Sequence, residues 1–499
     1  MGKLTDKVAR GVFWTMLEKL GIQAARFLVT LVLARLLTPN DYGTVALVSV
    51  FITVANVLVD CGLGSALVQK KDATQTDYDT VFYLSMTFAV VLYVVLFFAA
   101  PFVARFYAMP ELEAMLRVLA IALIFKSLDG VQGVELRRKM LFKLSFRISW
   151  VKVAVSSVVG ISLALAGFGA WSLVWASVIG GFAACVMRQL VIRWRPSLTF
   201  SWSSAGRLYS FGWKIVAGAL VSKLYNSLNS LVVGKCFTRA DLGFVSKGTH
   251  VVNVAANSVD ATISRVTLPA LAKLQDDPQR MVRAMRRMVK SSTFFVFPMM
   301  AVFVVLSDAA VVTLFGAKWL PAAPYLRLAC FTFALKPFIT VNLQAILVLG
   351  RSGMYLALVS ISSITGIVAM AVSYRWGVYA FVATGVFSVG IAKVLAAAWP
   401  NKKWLGYSLG KQMADVLPAA ALSVLAGLAA FAAGFAFPST SWWRLVVGCP
   451  VAVAVYLALA IFFRFSALAD IAGVVRPSFA KRLPAMLPVV DFIRRRTRA

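Results

Sequence analysis

Blocks of apolar residues, each roughly 18–25 long, follow one another almost from end to end of the 499-residue chain. A helix of that length crosses the hydrocarbon core of a bilayer. Apolar residues make up 61% of the sequence, well above the ~45–50% of soluble domains. The pattern predicts an all-α polytopic membrane protein with 14 transmembrane helices. The first six spans fall near 11–36, 43–67, 81–104, 115–136, 145–167 and 169–192. Six more fall near 211–236, 242–270, 291–315, 322–349, 354–375 and 377–399, and the last two near 413–437 and 442–464. The second, fourth, seventh and eighth carry charges.

Lys and Arg number 51 against 19 acids, a formal net charge of +32. Such a balance can signal nucleic acid, but here the cations crowd alternate short loops, as the positive-inside rule requires. Lys70, Lys71, Arg137, Arg138, Lys139, Lys143, Arg193, Arg195 and Arg207 lie on one side, with Lys273 and the arginines up to Lys290, then Arg351, Lys402, Lys403 and Lys411. The other side holds only Arg35, Arg105, Arg239, Lys318, Arg375 and Arg444. Both termini are therefore expected in the cytoplasm, and nucleic acid is not expected as a partner. Residues 1–10 are polar and basic, and the first block is too long for a cleaved signal peptide, so it is expected to remain as a helix. The connector 271–290 mixes Leu271, Leu274, Met281, Met285 and Met288 with arginines, the pattern of a helix lying on the membrane surface. The basic tail from 465 has the same mix and is expected on anionic lipids of the inner leaflet.

A short loop occurs twice. Thr38, Asp41 and Gly43 recur as Thr238, Asp241 and Gly243, at an offset of 200 that also carries Asp60 onto Asp260. Leu116, Arg117, Lys126 and Gln132 then recur as Leu326, Arg327, Lys336 and Asn342 at an offset of 210. Gly169-Ala170-Trp171 and Gly377-Val378-Tyr379 mark equivalent outward turns. A register kept over several spans is an internal duplication. The chain divides into an N-lobe of six helices (1–207), a C-lobe of six (208–403) that includes the connector 271–290, two appended helices (404–464) and the tail (465–499). An even number of helices per copy relates the pseudo-symmetric lobes by an axis along the membrane normal. In the repeated loop, Thr or Asp is expected to cap a helix starting near Gly43 or Gly243, with Gly permitting a tight turn.

Polar side chains inside spans are costly and face a cavity or a partner. Here they form helical stripes: Lys19, Gln23, Arg26 and Thr30 on the first span; Ser49, Thr53, Asn56 and Asp60 on the second. Lys214, Ser222, Tyr225 and Asn229 follow on the seventh, and Ser246, His250, Asn253, Asn257 and Asp260 on the eighth. Plain interhelical packing explains many Ser, Thr and Gly positions. Lys126 and Lys336 lie about ten residues into their spans, too deep to snorkel. For Lys126 an ion pair with Asp129, one turn on, is the alternative to a lumen-facing cation. Lys336 has no acid near it in sequence. Asp60 and Asp260 sit toward the cytoplasmic surface and suit a gate, with Arg137 or Arg265 as partner. His250, the only histidine, is a proton-coupling candidate or a satisfied member of its stripe.

The five cysteines show no ligand spacing, and neither a metal site, a catalytic constellation nor a nucleotide loop is present in the sequence. An enzyme is not expected, nor a cofactor; a coupling ion, H+ or Na+, stays open.

The stretch FWTMLEKLGIQAARFLVTLVLARLLTPNDYGTVALV, the stretch GFGAWSLV and the duplicated layout resemble bacterial polysaccharide exporters of the PST branch of the MOP exporter superfamily. These are Wzx-type lipid-linked oligosaccharide flippases, the colanic-acid exporter type among them. The resemblance spans roughly residues 5–400. It implies a MOP/MATE-like fold in the bacterial inner membrane and a transport cycle of alternating access. The cargo would be an undecaprenyl-diphosphate-linked oligosaccharide, moved from the cytoplasmic to the outer face. Polysaccharide polymerase and glycosyltransferases would be partners. A cationic lumen suits a diphosphate, which makes Arg26, Lys126, Lys223 and Lys336 candidate binders, with Asn226 and Asn229 for sugar. Two other classes remain: a multidrug or metabolite antiporter of the same superfamily, which would want an acidic lumen, and a membrane enzyme of glycan assembly, which would want a large outward loop.

Overall fold

The computed structural model describes residues 21–60, 63, 64, 67, 73–139, 141–192, 194–465 and 468. Lys19, Lys70, Lys71, Arg193 and the basic tail after 468 lie outside them, as does any test of where the termini run. All regular structure among the described residues is helical. Helix α1 is described over 21–36. It is followed by α2 (Pro39–Asp60), α3 (Gln75–Tyr107), α4 (Glu111–Arg138), α5 (Phe142–Leu165), α6 (Ala170–Val191), α7 (Trp202–Cys236) and α8 (Arg239–Ala272). Then come α9 (Pro278–Val305), a short α10 (Ser307–Phe315), α11 (Ala323–Val348), α12 (Ser352–Ser373), α13 (Val378–Leu405), α14 (Leu409–Gly434) and α15 (Trp443–Phe462).

Ten of these are long and apolar enough to cross a membrane, among the described residues. Helices α4, α7 and α8 are not, because Arg117, Lys126, Asp129, Lys214, Lys223, Lys247 and Asp260 interrupt them. The helices begin where side chains replace the missing partners of a first turn. Thr74 and Asp77 form a reciprocal capping box on α3. Asp277 caps α9, with Pro278 at the first helical position. At the turns before α6 and α13, Gly169 and Gly377 take φ of +51° and +92°, conformations that a side chain disfavours.

The chain forms two compact units, Met1–Ser246 and Lys247–Ala499. In the first, α7 packs on α2 and α3: Leu47 covers Gly234, and Tyr107 Oη donates to the Leu231 carbonyl at 3.4 Å. Three alanines, Ala55, Ala89 and Ala120, let α2, α3 and α4 approach closely, with Val59 and Leu123 filling the contact, and all five are nearly inaccessible. That contact carries the polar edges of α2 and α4 to each other.

In the second unit the core joins α8, α9, α11, α13 and α14 through Leu271, Met281, Met285, Val289, Phe338, Val341, Ala345, Ala398 and Ala419. The connector 271–290 thus departs from the surface helix its sequence suggests. Its apolar face at Met281, Met285 and Val289 is fully buried in protein, and α9 continues from it without a break to Val305. An apolar stripe fits a protein core as well as it fits lipid, so composition alone does not choose. On the other face, Arg286 grips the buried Asp415 of α14 with two bonds of 2.7 and 2.8 Å, and Lys290 lies 3.2 Å from the same carboxylate. Tyr407, in the loop before α14, donates to Asp415 at 2.9 Å. Burial, with the carboxylate beside it, pushes the Tyr407 phenol up, so it stays a neutral donor.

Candidate functional site

The charges of the first unit gather on the C-terminal halves of α2, α4 and α6 and the N-terminal half of α5. Lys126 sits 15 residues into α4, about 22 Å along it from Glu111. There its ammonium meets Asp60 at 2.7 Å and the Asn56 carbonyl at 2.9 Å. The partner of Lys126 is therefore Asp60, not Asp129. The side chains of Arg137 and Arg265, the partners expected for the gate aspartates, lie outside the described residues. Asp129 is taken by Arg188 of α6, which also donates to the Asp129 carbonyl at 3.3 Å. The backbone explains the choice: Lys126 and Asp129 share a helix but point to different neighbours, α2 and α6.

Lys152 of α5 completes the cluster, with Arg26, Asp129 and Arg188 as its charged neighbours. Neither Arg26 nor Lys152 makes a hydrogen bond or ion pair with the described residues, and both side chains are exposed to the space around them. Four cations (Arg26, Lys126, Lys152 and Arg188) thus face two carboxylates, and the cluster is net positive. Lys152 and Arg188 carry no repeat signal. Neither was expected from the sequence, and the signal that could have found them is a lone charge inside an apolar span.

The second unit repeats the central pair. Lys336 of α11 lies 3.3 Å from Asp260 of α8, and Thr340, one turn on, donates to the same carboxylate at 2.6 Å. The Lys336 ammonium also stands 5.1 Å from the centre of the Phe333 ring. Lys336 is thus a paired cation rather than one without an acid; its acid comes from 76 positions earlier in the chain. Lys393 of α13 is its charged neighbour and has no carboxylate of its own among the described residues. Below the pairs, each unit closes with an amide contact: Gln132 to Gln189 at 2.8 Å in the first, Asn401 to Asn342 at 2.6 Å in the second. The register read from the sequence therefore holds at the level of side-chain partners.

Both copies of the repeated loop lie in the first unit. Thr38 Oγ1 donates to Asp41 at 2.7 Å while the Asp41 N–H donates back to Thr38 at 3.3 Å; Thr238 and Asp241 do the same at 2.7 and 3.1 Å. These are capping boxes, so α2 and α8 begin at Pro39 and Arg239, four residues before the expected start at glycine. Gly43 and Gly243 are inside the helices and make no turn. A Cβ on Gly43 would overlap the Arg239 carbonyl, and one on Gly243 the Pro39 carbonyl. The two helix starts cross backbone to backbone, which only glycine permits.

The remaining expected residues are placed as follows. Lys223 is exposed on α7 and unpaired among the described residues. The Asn229 Oδ1 is buried with no partner in the described structure. His250 is exposed on α8 and Asn253 is half-buried there. Asn226 and Asn257 lie on α7 and α8, and their side chains fall outside the described residues. Among the described residues no group of His, Cys, Asp and Glu is arranged to hold a metal.

The sequence matches the family described as polysaccharide biosynthesis protein over residues 32–324, more than half of its length, and the chain belongs to that family. It is 24% identical to the teichuronic acid biosynthesis protein TuaB of Bacillus subtilis (strain 168), over 70% of this chain and 73% of that protein. It is 23% identical to the lipopolysaccharide biosynthesis protein WzxC of Escherichia coli (strain K12), over 67% of this chain and 68% of that protein. Its fold is similar to that of the lipid II flippase MurJ in an inward closed conformation, with a TM-score of 0.76 over 91% of this chain and 99% of that one, at 13% identity.

Proposed function

We propose that this protein is a flippase that moves undecaprenyl-diphosphate-linked oligosaccharide repeat units from the cytoplasmic to the outer face of the bacterial inner membrane by alternating access. The observation that carries the reading is the net positive, membrane-embedded cluster of Arg26, Lys126, Lys152 and Arg188, in a chain of the polysaccharide biosynthesis family. A diphosphate is a dense anion, and ammonium and guanidinium groups at low dielectric are its natural ligands. Arg26, Lys152, Lys223 and Lys393 are the first contacts in this scheme, Lys126 and Lys336 the second, and Asn226 and Asn229 meet sugar hydroxyls. The buried, unpartnered Asn229 oxygen supports that role. Asp60, Asp260, Asn253, Asn257 and His250 line or gate the path.

The scheme has 14 spanning helices, six per repeat with α14 and α15 appended, and both termini in the cytoplasm. The crossing at Gly43 and Gly243 is the outer closure. Polymerase and glycosyltransferases act on either side of the step, and the chain itself performs no catalysis. An antiporter of organic cations would call for an excess of carboxylates, the reverse of the charge found on α2, α4, α5 and α6.

The test is genetic and chemical. Lys336→Gln in a host lacking its own copy should lower surface glycan and raise lipid-linked precursor, at an unchanged level of membrane-inserted protein. Unchanged surface glycan contradicts the proposal.

A further inference from the structure

The embedded cations fall into two classes. Lys126 and Lys336 are each held against a carboxylate, at 2.7 and 3.3 Å. Arg26, Lys152 and Lys393 make no ion-pair contact with a carboxylate among the described residues, and Asp129, the carboxylate near Lys152, is held by Arg188. The masking occurs at the same register in both units, on helices related by the repeat, so the two pairs share a purpose beyond local packing. They are also within reach of a ligand. The Lys126 and Asp60 side chains keep 34% and 64% of their exposure, and those of Lys336 and Asp260 keep 31% and 22%.

Resting on the proposed function, we infer that Asp60 and Asp260 are specificity-determining counter-ions, which withhold Lys126 and Lys336 from singly charged phosphodiester headgroups and release them to a lipid diphosphate. A path that admits a lipid tail is bathed in anionic phospholipid at far higher concentration than any glycan carrier. A bare lysine would bind those headgroups. Beside an aspartate it gains nothing by the exchange: one negative charge replaces another at a similar distance, and both anions must be partly stripped of water. A diphosphate brings two negative charges on adjoining groups. It engages the bare cations first and then offers Lys126 or Lys336 a stronger partner than the carboxylate. Asp60 has no second side-chain donor among the described residues, whereas Thr340 secures Asp260, so the first pair yields more readily.

The experiment uses the full-length protein in nanodiscs of neutral lipid, with undecaprenyl diphosphate and phosphatidylglycerol as separate probes and binding read by native mass spectrometry. Wild type should prefer the diphosphate. Asp60→Asn and Asp260→Asn should each raise phosphatidylglycerol affinity about tenfold and change diphosphate affinity about threefold or less, a free-energy gap of ~0.7 kcal/mol between the two probes. Asp60→Glu, which restores the charge, should restore the preference; a role in packing alone would not separate Asn from Glu by lipid class. A preference that survives both Asn substitutions overturns the inference. If wild type itself shows no preference for the diphosphate, it is the flippase reading that fails. In that case the response of phosphatidylglycerol to Asp60→Asn still decides whether the carboxylate masks the lysine.

Discussion

The two units hold the same carboxylate–ammonium pair and surround it differently. In the first, Lys126–Asp60 stands beside a second pair, Asp129–Arg188, and two cations, Arg26 and Lys152, that are unmatched among the described residues. In the second, Lys336–Asp260 is buttressed by Thr340 and Phe333, with Lys393 as a charged neighbour. The central pair is common to both units while its surroundings differ. The comparison assigns the first unit the larger share of anion binding. The second unit's polar strength lies instead in the Arg286–Asp415 clasp that ties α9 to α14.

That asymmetry is open to attack by substitution. The largest effect is expected at the one contact both loop copies share. Gly243→Val drives a branched side chain into the Pro39 carbonyl, and surface glycan should fall by about tenfold or more, the scale of a 1–3 kcal/mol steric conflict acting on one conformation. Next come the carboxylates whose loss strands a cation. Asp129→Asn leaves Arg188 uncompensated and should cost about 3–5 kcal/mol, read as a lower thermal midpoint in detergent. Asp415→Asn should cost less, about 2 kcal/mol, because Arg286 is 44% exposed and water can take over.

The comparison itself is sharpened by removing bare cations one unit at a time. Arg26→Gln with Lys152→Gln should reduce export about tenfold, and Lys393→Gln about threefold, each contact being worth roughly 0.7 kcal/mol. Equal losses would erase the difference between units. The smallest effect belongs to the caps: Thr38→Ala and Thr238→Ala should each cost about 1 kcal/mol of stability with export retained.

Much of this was legible in the sequence. The length and order of the apolar blocks foretold the helices, and the offsets of 200 and 210 foretold which residues would occupy matching positions. The partners were not legible. Asp60 and Lys126 are 66 residues apart, and nothing local joins them; the nearer acid, Asp129, misled because spacing along one helix says nothing about which neighbour each side chain faces. The face of Met281 and Met285 misled for a different reason, since a protein core and a bilayer ask for the same side chains. Gly43 and Gly243 were recognised as special but for a turn, when the requirement is the close approach of two backbones.

One measurement bears most directly on the flippase reading. Purified wild-type protein is reconstituted into liposomes carrying a fluorescent undecaprenyl-diphosphate-linked oligosaccharide, and the label reaching the opposite leaflet is followed with a membrane-impermeant quencher. The account predicts translocation well above protein-free liposomes and about tenfold slower with Arg26→Gln and Lys152→Gln combined. Translocation no faster than in protein-free liposomes, or unchanged when the bare cations are removed, would contradict it.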